Sequence, residues 1–337
     1  MPQFGTGIIP SGALGNELSF ITRRAFINKL IVQLYQASPT IALLMSHANA
    51  ASGGVSPITI PAQMSALTVG QWTDFSGSFA PPQDIAGIDN AEFNMKALVI
   101  PIPLLGMQAM VQVNETVIDK LEAVMNDAGN NAINMLATAL FNNITNNQQL
   151  IGLPGAVDDG TDLVIYGGLS RTTFPQWKSL RIAEGGVAPT RDSVLLDVIK
   201  TTTNNGGERP TFGVCGPLTW HKLATDFTTQ ERYMVTADGS YADNEFGARA
   251  AFQALMVGGV PYYFDPYAGG AAEGTAYLLN ENYLSLYIHE DFSFGFTGFE
   301  SVLPNSQLGY IGALLSLLEL VLAKPSSCGV FTGYLHS

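Results

Sequence analysis

Residues 97–144, ALVIPIPLLGMQAMVQVNETVIDKLEAVMNDAGNNAINMLATALFNNI, place a long apolar strand directly before a long helix. The pattern predicts a strand over Ala97–Val113 and an uninterrupted helix from about Glu115 to Ile144. About thirty residues at ~1.5 Å rise make a rod of roughly 45 Å. Apolar residues recur at spacings of three and four, so one side of the helix should face a partner: Ile118, Leu121, Met125, Ala128, Ala132, Met135 and Ala139.

The segment before this strand is an open ribbon broken by Gly, Ser and Pro. From His47 to Asn94 short strands such as Ile58–Pro61 and Leu67–Trp72 alternate with turn residues, which predicts a long two-stranded excursion with little core of its own. Pro81 and Pro82 lie within it. A projecting loop attached to a long helix is typical of a building block and less typical of an enzyme with a pocket.

Composition indicates extensive contacts between subunits. The chain is 47% hydrophobic and only 13% charged, against roughly 25% charged in an average soluble domain. No apolar run reaches the ~18 residues of a membrane-spanning helix, and the longest, Leu308–Ala323, contains Glu319. The remaining explanation is surface that becomes buried between subunits, because obligate interfaces resemble a domain core cut in half.

The net charge of −13 disfavours direct binding of nucleic acid, which depends on clusters of Lys and Arg. Arg23-Arg24 with Lys29 form the largest basic group and are interpreted as a solvated or interfacial helix face. Cys215 and Cys328 are far apart and lack metal or redox spacing, so both are expected to be reduced thiols. Met1–Gly15 lacks the features of a secretory signal, and assembly in a cytoplasm is expected.

The rest of the chain combines an extended arm with a compact α/β unit. Residues 1–22 are rich in Gly, Pro and Ser, and Thr22 should cap a helix over Arg23–Gln36 that Pro39 ends. Thr190 should open another helix with Val194, Leu195, Val198 and Ile199 buried, and a third should run from Pro217 to Phe227. Leu308–Ala323 fits a helix or a buried strand. Further strands are predicted at Thr211–Cys215, Phe252–Met256, Tyr262–Phe264, Ala276–Leu279, Leu284–Ile288 and Phe292–Phe296.

No group of residues predicts a catalytic, cofactor or metal site. His289-Glu290-Asp291 could supply a general base, but a polar turn between two strands explains it better. Asp158, Asp159 and Asp162 lack the spacing of a calcium loop and are interpreted as solvated. Gly167-Gly168 and Gly269-Gly270 predict turns and do not form a phosphate-binding loop. Asn114 and Asn143 head glycosylation sequons by chance.

Several motifs, in this order, resemble those of one protein family. They are Gln71-Trp-Thr-Asp-Phe-Ser-Gly with Pro82-Gln-Asp84, Ala91-Glu-Phe-Asn-Met-Lys96, Val117-Ile-Asp-Lys-Leu-Glu122 with Leu140-Phe141, Leu169-Ser-Arg-Thr-Thr-Phe-Pro-Gln-Trp177, Gly259-Val-Pro-Tyr with Asp265, Tyr277-Leu-Leu-Asn280, Gln307-Leu-Gly-Tyr-Ile-Gly312 and Gly329-Val-Phe-Thr-Gly333. Over roughly residues 20–334 the chain resembles a tailed-bacteriophage major capsid protein of the Hong Kong 97-type fold. It departs from the family at Ser170, where an acidic residue is common, and at Lys178, which replaces an Arg.

The resemblance implies an α+β fold in four parts. They are an N-terminal arm (1–46), an extended loop (47–96), a peripheral domain with the long spine helix and a long sheet (97–185 and 284–337), and an apical α/β domain (186–283). It also implies that Leu308–Ala323 is a strand, beside Ala97–Val113.

The function that the resemblance implies is mechanical, without enzymatic activity or cofactor. Hexamers and pentamers of the chain would form an icosahedral virion shell, assembled in the host cytoplasm, that encloses double-stranded DNA without sequence-specific contacts. Scaffolding, portal and decoration proteins are further partners of such shells, and no membrane is involved. One alternative is the shell protein of an encapsulin-like bacterial nanocompartment. An alternative of another class is a cytoplasmic hydrolase that uses His289.

Overall fold

The computed structural model describes residues 38–51, 57–64, 87–105, 114–142, 144, 148–228, 254–268, 274–301 and 309–335. Several predictions lie outside these residues: the arm with its helix Arg23–Gln36, the strand Leu67–Trp72, the loop motif from Gln71 to Asp84, the second half of the apolar strand (106–113) and the turn at Gly269-Gly270. Within the described part the chain is α+β, as predicted, and contains two six-stranded sheets.

The helices are α1 (Pro39–Ser46), α2 (Asn114–Asn142), α3 (Leu153–Ala156), α4 (Arg191–Asn204) and α5 (Pro217–Thr228). The strands are β1 (Asn49–Ala51), β2 (Ile58–Gln63), β3 (Ile88–Phe93), β4 (Lys96–Leu105), β5 (Ile165–Tyr166), β6 (Leu169–Ser170), β7 (Leu180–Ala183), β8 (Phe212–Cys215), β9 (Leu255–Val257), β10 (Val260–Phe264), β11 (Ala276–Leu279), β12 (Leu284–His289), β13 (Gly295–Phe296), β14 (Glu300–Ser301), β15 (Gly309–Leu322) and β16 (Gly329–Thr332).

The long helix α2 has 29 residues and confirms the predicted spine. It packs against β4. Met125, Ala128 and Ala132 are buried as expected, but Met135 is 44% exposed and Leu136 lies inside in its place. Leu136, and not Met135, lies on the same side of the helix as Met125, because three turns of 3.6 residues from Met125 end at residue 136. The side chains of residues 114–124 lie outside the described part.

The first sheet is built on β15. This 14-residue strand pairs antiparallel with β4 from Leu105↔Gly309 to Lys96↔Leu318, and on its other side with β12, β13 and β14. The ambiguous run Leu308–Ala323 is therefore a strand beside the apolar strand, as the resemblance implied. Ile100 and Ile102 face the core, whereas Val99, Pro101 and Pro103 lie on the exposed face.

Strand β4 has β15 as its one neighbour among the described strands. Pro101 and Pro103 have no N–H to donate to β15. They therefore occupy the positions of β4 whose backbone groups point away from β15, towards the opposite edge of the strand. The edge of β4 that has no partner among the described strands is therefore the edge that carries the prolines.

The second sheet has the order β7-β16-β11-β8-β10-β9. Helices α4 and α5 pack against its β9 and β10 strands. Thr190 caps α4 as predicted, and its hydroxyl accepts a hydrogen bond from the Ser193 N–H. Val194 and Val198 are buried, but Ile199 is 53% exposed, which corrects its predicted burial. Asp197 lies on the buried side of α4 instead, where its carboxylate accepts a hydrogen bond from the Tyr334 hydroxyl.

Pro39 begins α1, where the Ser38 hydroxyl accepts a hydrogen bond from the Ile41 N–H and proline suits the first turn of a helix. The helix Arg23–Gln36 that Pro39 was expected to end lies outside the described residues. One further local prediction was wrong. Of the strand predicted at Phe292–Phe296 only Gly295–Phe296 forms, since Glu290–Phe292 folds into a short 3-10 turn.

Candidate functional site: the root of the projecting hairpin

Strands β2 and β3 form an antiparallel hairpin in register from Ile58↔Phe93 to Gln63↔Ile88. Its root, where β3 meets the rest of the chain, contacts the tight turn at Gly167. The Glu92 N–H donates to the Gly167 carbonyl over 2.9 Å. Gly167 has φ +60, and a β-carbon there would lie 2.6 Å from the Phe93 ring. Only glycine allows this close approach without strain, so the turn fixes where the hairpin leaves the body.

Three aromatic rings continue this contact into the core. Phe93 meets Tyr166 edge-on with ring centroids 5.0 Å apart, and Tyr166 lies 6.1 Å from Trp177. The Trp177 indole donates to the Tyr166 carbonyl over 2.9 Å, and the Leu322 N–H donates to the Tyr166 hydroxyl over 2.9 Å. Burial raises the pKa of Tyr166 well above its ordinary value. The hairpin root is thereby attached to the long strand β15.

Arg171 holds the loop that carries these aromatic residues. Its side chain is fully buried, and its guanidinium lies 4.9 Å from the centre of the Tyr166 ring. It donates to four carbonyl groups that no regular element satisfies: Gly155 and Leu163 at 3.0 Å, Ala156 at 2.6 Å and Trp177 at 3.3 Å. One side chain thus satisfies several buried backbone acceptors, which would otherwise be costly.

Asp158 supplies the charge opposite Arg171. It is fully buried and accepts hydrogen bonds from the Gly160, Asp162 and Leu163 N–H groups, while Arg171 lies at 3.5 Å and Arg181 at 2.7 Å. Burial acts to raise the pKa of Asp158, but these hydrogen bonds and cations outweigh burial and hold it below its ordinary value. The prediction of a solvated loop is therefore wrong for Asp158, because two arginines from later in the chain enclose it.

A cleft of about 750 Å³ opens beneath the hairpin root. Lys96, Glu92 and Asn94 line it from the hairpin side, and Glu319 lines it from β15. Glu319 is 1% exposed, and its Oε1 accepts from the Ile151 N–H over 3.1 Å. Its Oε2 has no hydrogen-bond partner among the described residues. Burial raises the pKa of Glu319 to about 7, although hydrogen bonds from the Ile151 and Leu320 N–H groups and the charge of Lys96 act against the shift.

His289 occupies the polar turn that the sequence predicted. The ring is buried and its Nδ1 accepts from the Asp291 N–H over 3.2 Å, so it caps the 3-10 turn. The ring also lies 5.4 Å from Phe292, and the carboxylates of Glu290 and Asp291 face solvent. This arrangement serves the turn and does not resemble a histidine held between two carboxylates as a general base.

Other predicted positions contribute no site in the described part of the chain. Cys215 and Cys328 are buried thiols that form no disulfide with each other, and burial raises the pKa of Cys328 to about 11. No cluster of metal-ligating side chains occurs among the described residues. No described helix is long and apolar enough to cross a bilayer. Gly167-Gly168 forms the turn between β5 and β6, as predicted, and Gly269-Gly270 lies outside the described residues.

Solved structures with the same arrangement are shells of phages and related particles. The chain is 17% identical to a chain of the cyanophage A-1(L) capsid asymmetric unit, covering 88% of this chain and 93% of that one with a TM-score of 0.66. A capsid chain of an empty GTA particle shares 11% identity over 90% and 97% of the two chains, with a TM-score of 0.54. The holo-SrpI encapsulin complex from Synechococcus elongatus PCC 7942 contains a chain 12% identical over 87% and 88%, with a TM-score of 0.53.

No family model matches the sequence. No curated protein matches it either. The likeness to solved structures is one of fold, and it agrees with the resemblance found in the sequence. The chain has the fold of phage capsid proteins, a fold that the encapsulin chain shares.

Proposed function

We propose that the chain is a major capsid protein that assembles as hexamers and pentamers into an icosahedral shell around double-stranded DNA. One observation carries the proposal: the cyanophage capsid chain matches 88% of this chain, with a TM-score of 0.66. The proposed role is structural, located in the virion capsid, with assembly in the host cytoplasm. Scaffolding, portal and decoration proteins are proposed as further partners.

We also propose a division of the chain into four parts. The arm takes residues 1–46, the extended loop 47–96, the peripheral domain 97–185 with 284–337, and the apical domain 186–283. The second sheet links the last two parts, because β7 and β16 pair with each other and β16 pairs with β11. A shared sheet would transmit force between the parts of a shell subunit.

The exposed face of the β4–β15 pair supports self-association. It presents apolar side chains from both strands and no charged group: Ala97, Val99, Pro101, Pro103, Ile311, Ala313, Leu315 and Leu317. Exposed apolar patches mark interaction sites, and the low charge of the whole chain agrees with burial between copies. The net charge of −13 suits an inner wall that does not hold DNA tightly.

Electron microscopy and sedimentation of the expressed protein test this function. We expect closed particles of megadalton size, with hexameric and pentameric units in image averages. A stable monomer over a wide range of concentration and salt would refute the proposal.

The encapsulin chain gives a second candidate, a nanocompartment shell, on a likeness with a TM-score of 0.53. The contents of particles purified from the native source separate the two candidates. Nuclease-protected double-stranded DNA would support the capsid, and packaged protein without DNA would support the nanocompartment.

A further inference from the structure

Two short connectors join the first sheet to the second. Residues 280–283 lead from β11 to β12, and residues 323–328 lead from β15 to β16. The connectors lie side by side, because the Ala323 N–H donates to the Tyr283 carbonyl over 2.9 Å. A change in the angle between the two sheets must therefore alter the backbone at both connectors.

Glu208 binds both connectors from the loop that follows α4. Its Oε1 accepts a hydrogen bond from the Asn280 amide over 3.2 Å, and its Oε2 accepts one from the Tyr283 hydroxyl over 2.9 Å. Lys324 of the second connector forms an ion pair with the same Oε2 at 3.8 Å, and its ammonium group lies 5.0 Å from the centre of the Tyr283 ring. We call these four side chains the Glu208 clasp. The hydrogen bond from Tyr283, more than any other contact, holds the pKa of Glu208 below its ordinary value.

The loop that carries Glu208 is fixed to α4 at one end. The side-chain amide of Asn205, the C-cap of α4, donates to the carbonyl and to Oε2 of Glu208, both over 3.3 Å. Asn204, the last residue of α4, donates to the Ser326 carbonyl of the second connector over 3.1 Å. A movement of α4 relative to the first sheet would therefore strain the Glu208 clasp.

The Glu208 clasp can open without unpacking the core. The side chains of Glu208 and Lys324 are 37% and 40% exposed, so water can replace their contact, and exposed ion pairs contribute little to stability. One apolar cluster continues beneath the connectors from Tyr277 and Leu279 of the second sheet to Leu284 of the first. This cluster limits any movement to a small change in angle, and the clasp is the polar contact that such a change would break.

We propose that the Glu208 clasp is a conformational switch, which fixes the angle between the two sheets when it is closed and lets this angle vary when it is open. Its purpose rests on the proposed function, because one chain that forms both hexamers and pentamers must fit two curvatures. The switch itself belongs to the single subunit and can be tested without a shell.

Pulsed electron paramagnetic resonance on dilute, unassembled subunits measures the angle. Spin labels at Leu196→Cys on α4 and Val99→Cys on β4, both 50% exposed, give the distribution of distances between the two sheets. Cys215 and Cys328 are buried and should remain unlabelled. We expect a narrow distribution with the clasp intact and a broader one in Glu208→Gln.

Glu281→Gln is the matched control. Glu281 lies on the first connector and binds Thr211 through its N–H, while its carboxylate has no bonding partner among the described residues. This variant should keep the narrow distribution. Tyr283→Phe is the second variant, in case Glu208→Gln fails to fold; it removes the hydroxyl that binds Glu208, keeps the ring, and should also broaden the distribution.

Amide hydrogen exchange gives an independent readout in the same variants. The Leu284 and Ala323 amides, which are hydrogen-bonded at the connectors, should exchange about tenfold faster when the clasp is lost. The β4–β15 and β8–β10 pairs should keep their wild-type rates. If Glu208 only adds to overall stability, exchange will rise in both sheets as much as at the connectors.

The proposal is overturned if the clasp variants and the wild type give the same distance distribution, or if exchange rises equally at the connectors and within both sheets. Both measurements use single subunits, so they decide the proposal even if the chain forms no shells. A failure to form shells would count against the proposed function alone.

Discussion

Replacing Arg171 by Met should destabilise the subunit more than any other single change at the hairpin root. Met keeps most of the apolar stem but removes the guanidinium, so the carbonyl groups of Gly155, Ala156, Leu163 and Trp177 lose their buried donor. Each unsatisfied buried acceptor costs about 1–3 kcal/mol, which gives a total of about 4–12 kcal/mol. Partial relaxation and entry of water favour the lower end, and ~4 kcal/mol is already a large part of the stability of a domain.

Arg181→Met is the matched control. Arg181 also contacts Asp158, but its side chain is 25% exposed and its hydrogen bonds go to Asp158 and Asp162 rather than to orphan carbonyl groups. Asp158 keeps its backbone donors in this variant, so we expect a loss of about 1–2 kcal/mol. The difference between the two variants isolates the carbonyl-binding role of Arg171.

Urea unfolding of dilute, unassembled subunits measures both variants. It can be followed by the fluorescence of the three tryptophans, of which Trp177 lies at the site. The reasoning is refuted if Arg171→Met loses less than ~1 kcal/mol, or no more than Arg181→Met. Either result would mean that water or a shifted loop serves these carbonyl groups as well as the guanidinium does.

Four further outcomes follow from the structure. Gly167→Ala should loosen the hairpin and speed its proteolysis, because the added carbon meets the Phe93 ring. Gly168→Ala is the control: its φ is also positive, at +77, but nothing lies within 4 Å of the added carbon, so it introduces backbone strain alone. Equal effects of the two changes would exclude the Phe93 contact as the cause. Burial raises the pKa of Asp197 to about 6 and that of Glu319 to about 7, so the folded subunit binds protons more tightly and its stability should fall as pH rises from ~4 to ~7. Glu319→Gln should then gain up to about 3 kcal/mol at pH 8 and nothing at pH 4 in urea unfolding, and an equal gain at both pH values would contradict the assignment. Replacing residues 65–86, the segment between β2 and β3, by a Gly/Ser linker should abolish shells but preserve cooperative unfolding, because Met64, Ala91 and Phe93 still pack in the core. Unfolding of the variant would show that this segment belongs to the core. Mature particles boiled in denaturant should give one band near 35.9 kDa, because no Lys occurs between His47 and Met95; a ladder that survives reducing agent would point to Lys96.

The elements with strong periodicity could be predicted from the sequence. The spine helix α2 and the start of β4 follow from patterns that extend over many residues, and the hairpin strand β2 follows from its flanking breakers. The secondary structure of Leu308–Ala323 could not be predicted from its own residues, because leucine favours a helix. The segment forms a strand because it pairs with β4, which is distant in the sequence. The resemblance supplied the pairing partner that local propensity lacks.

The chemistry at the hairpin root was harder to predict, since it depends on contacts between distant positions. Asp158 looked like part of a solvated loop, yet Arg171 and Arg181 reach it from 13 and 23 positions later. Glu319 was noticed only as a charge that argued against a membrane span. The one available signal was the motif Leu169–Trp177, in which a lone Arg and a Trp lie close to a Gly-Gly turn, and only the structure shows that both hold backbone groups in the core.

The prolines at the edge of β4 that no described strand covers bear on the proposed assembly. An open sheet edge offers a template on which other chains can add as strands and grow into fibres. Pro101 and Pro103 remove two hydrogen-bond donors from that edge while leaving the apolar face of the sheet unchanged. Copies of the chain can therefore meet face to face, but the sheet cannot be extended without limit, and the edge disfavours amyloid-like growth as a competitor of assembly.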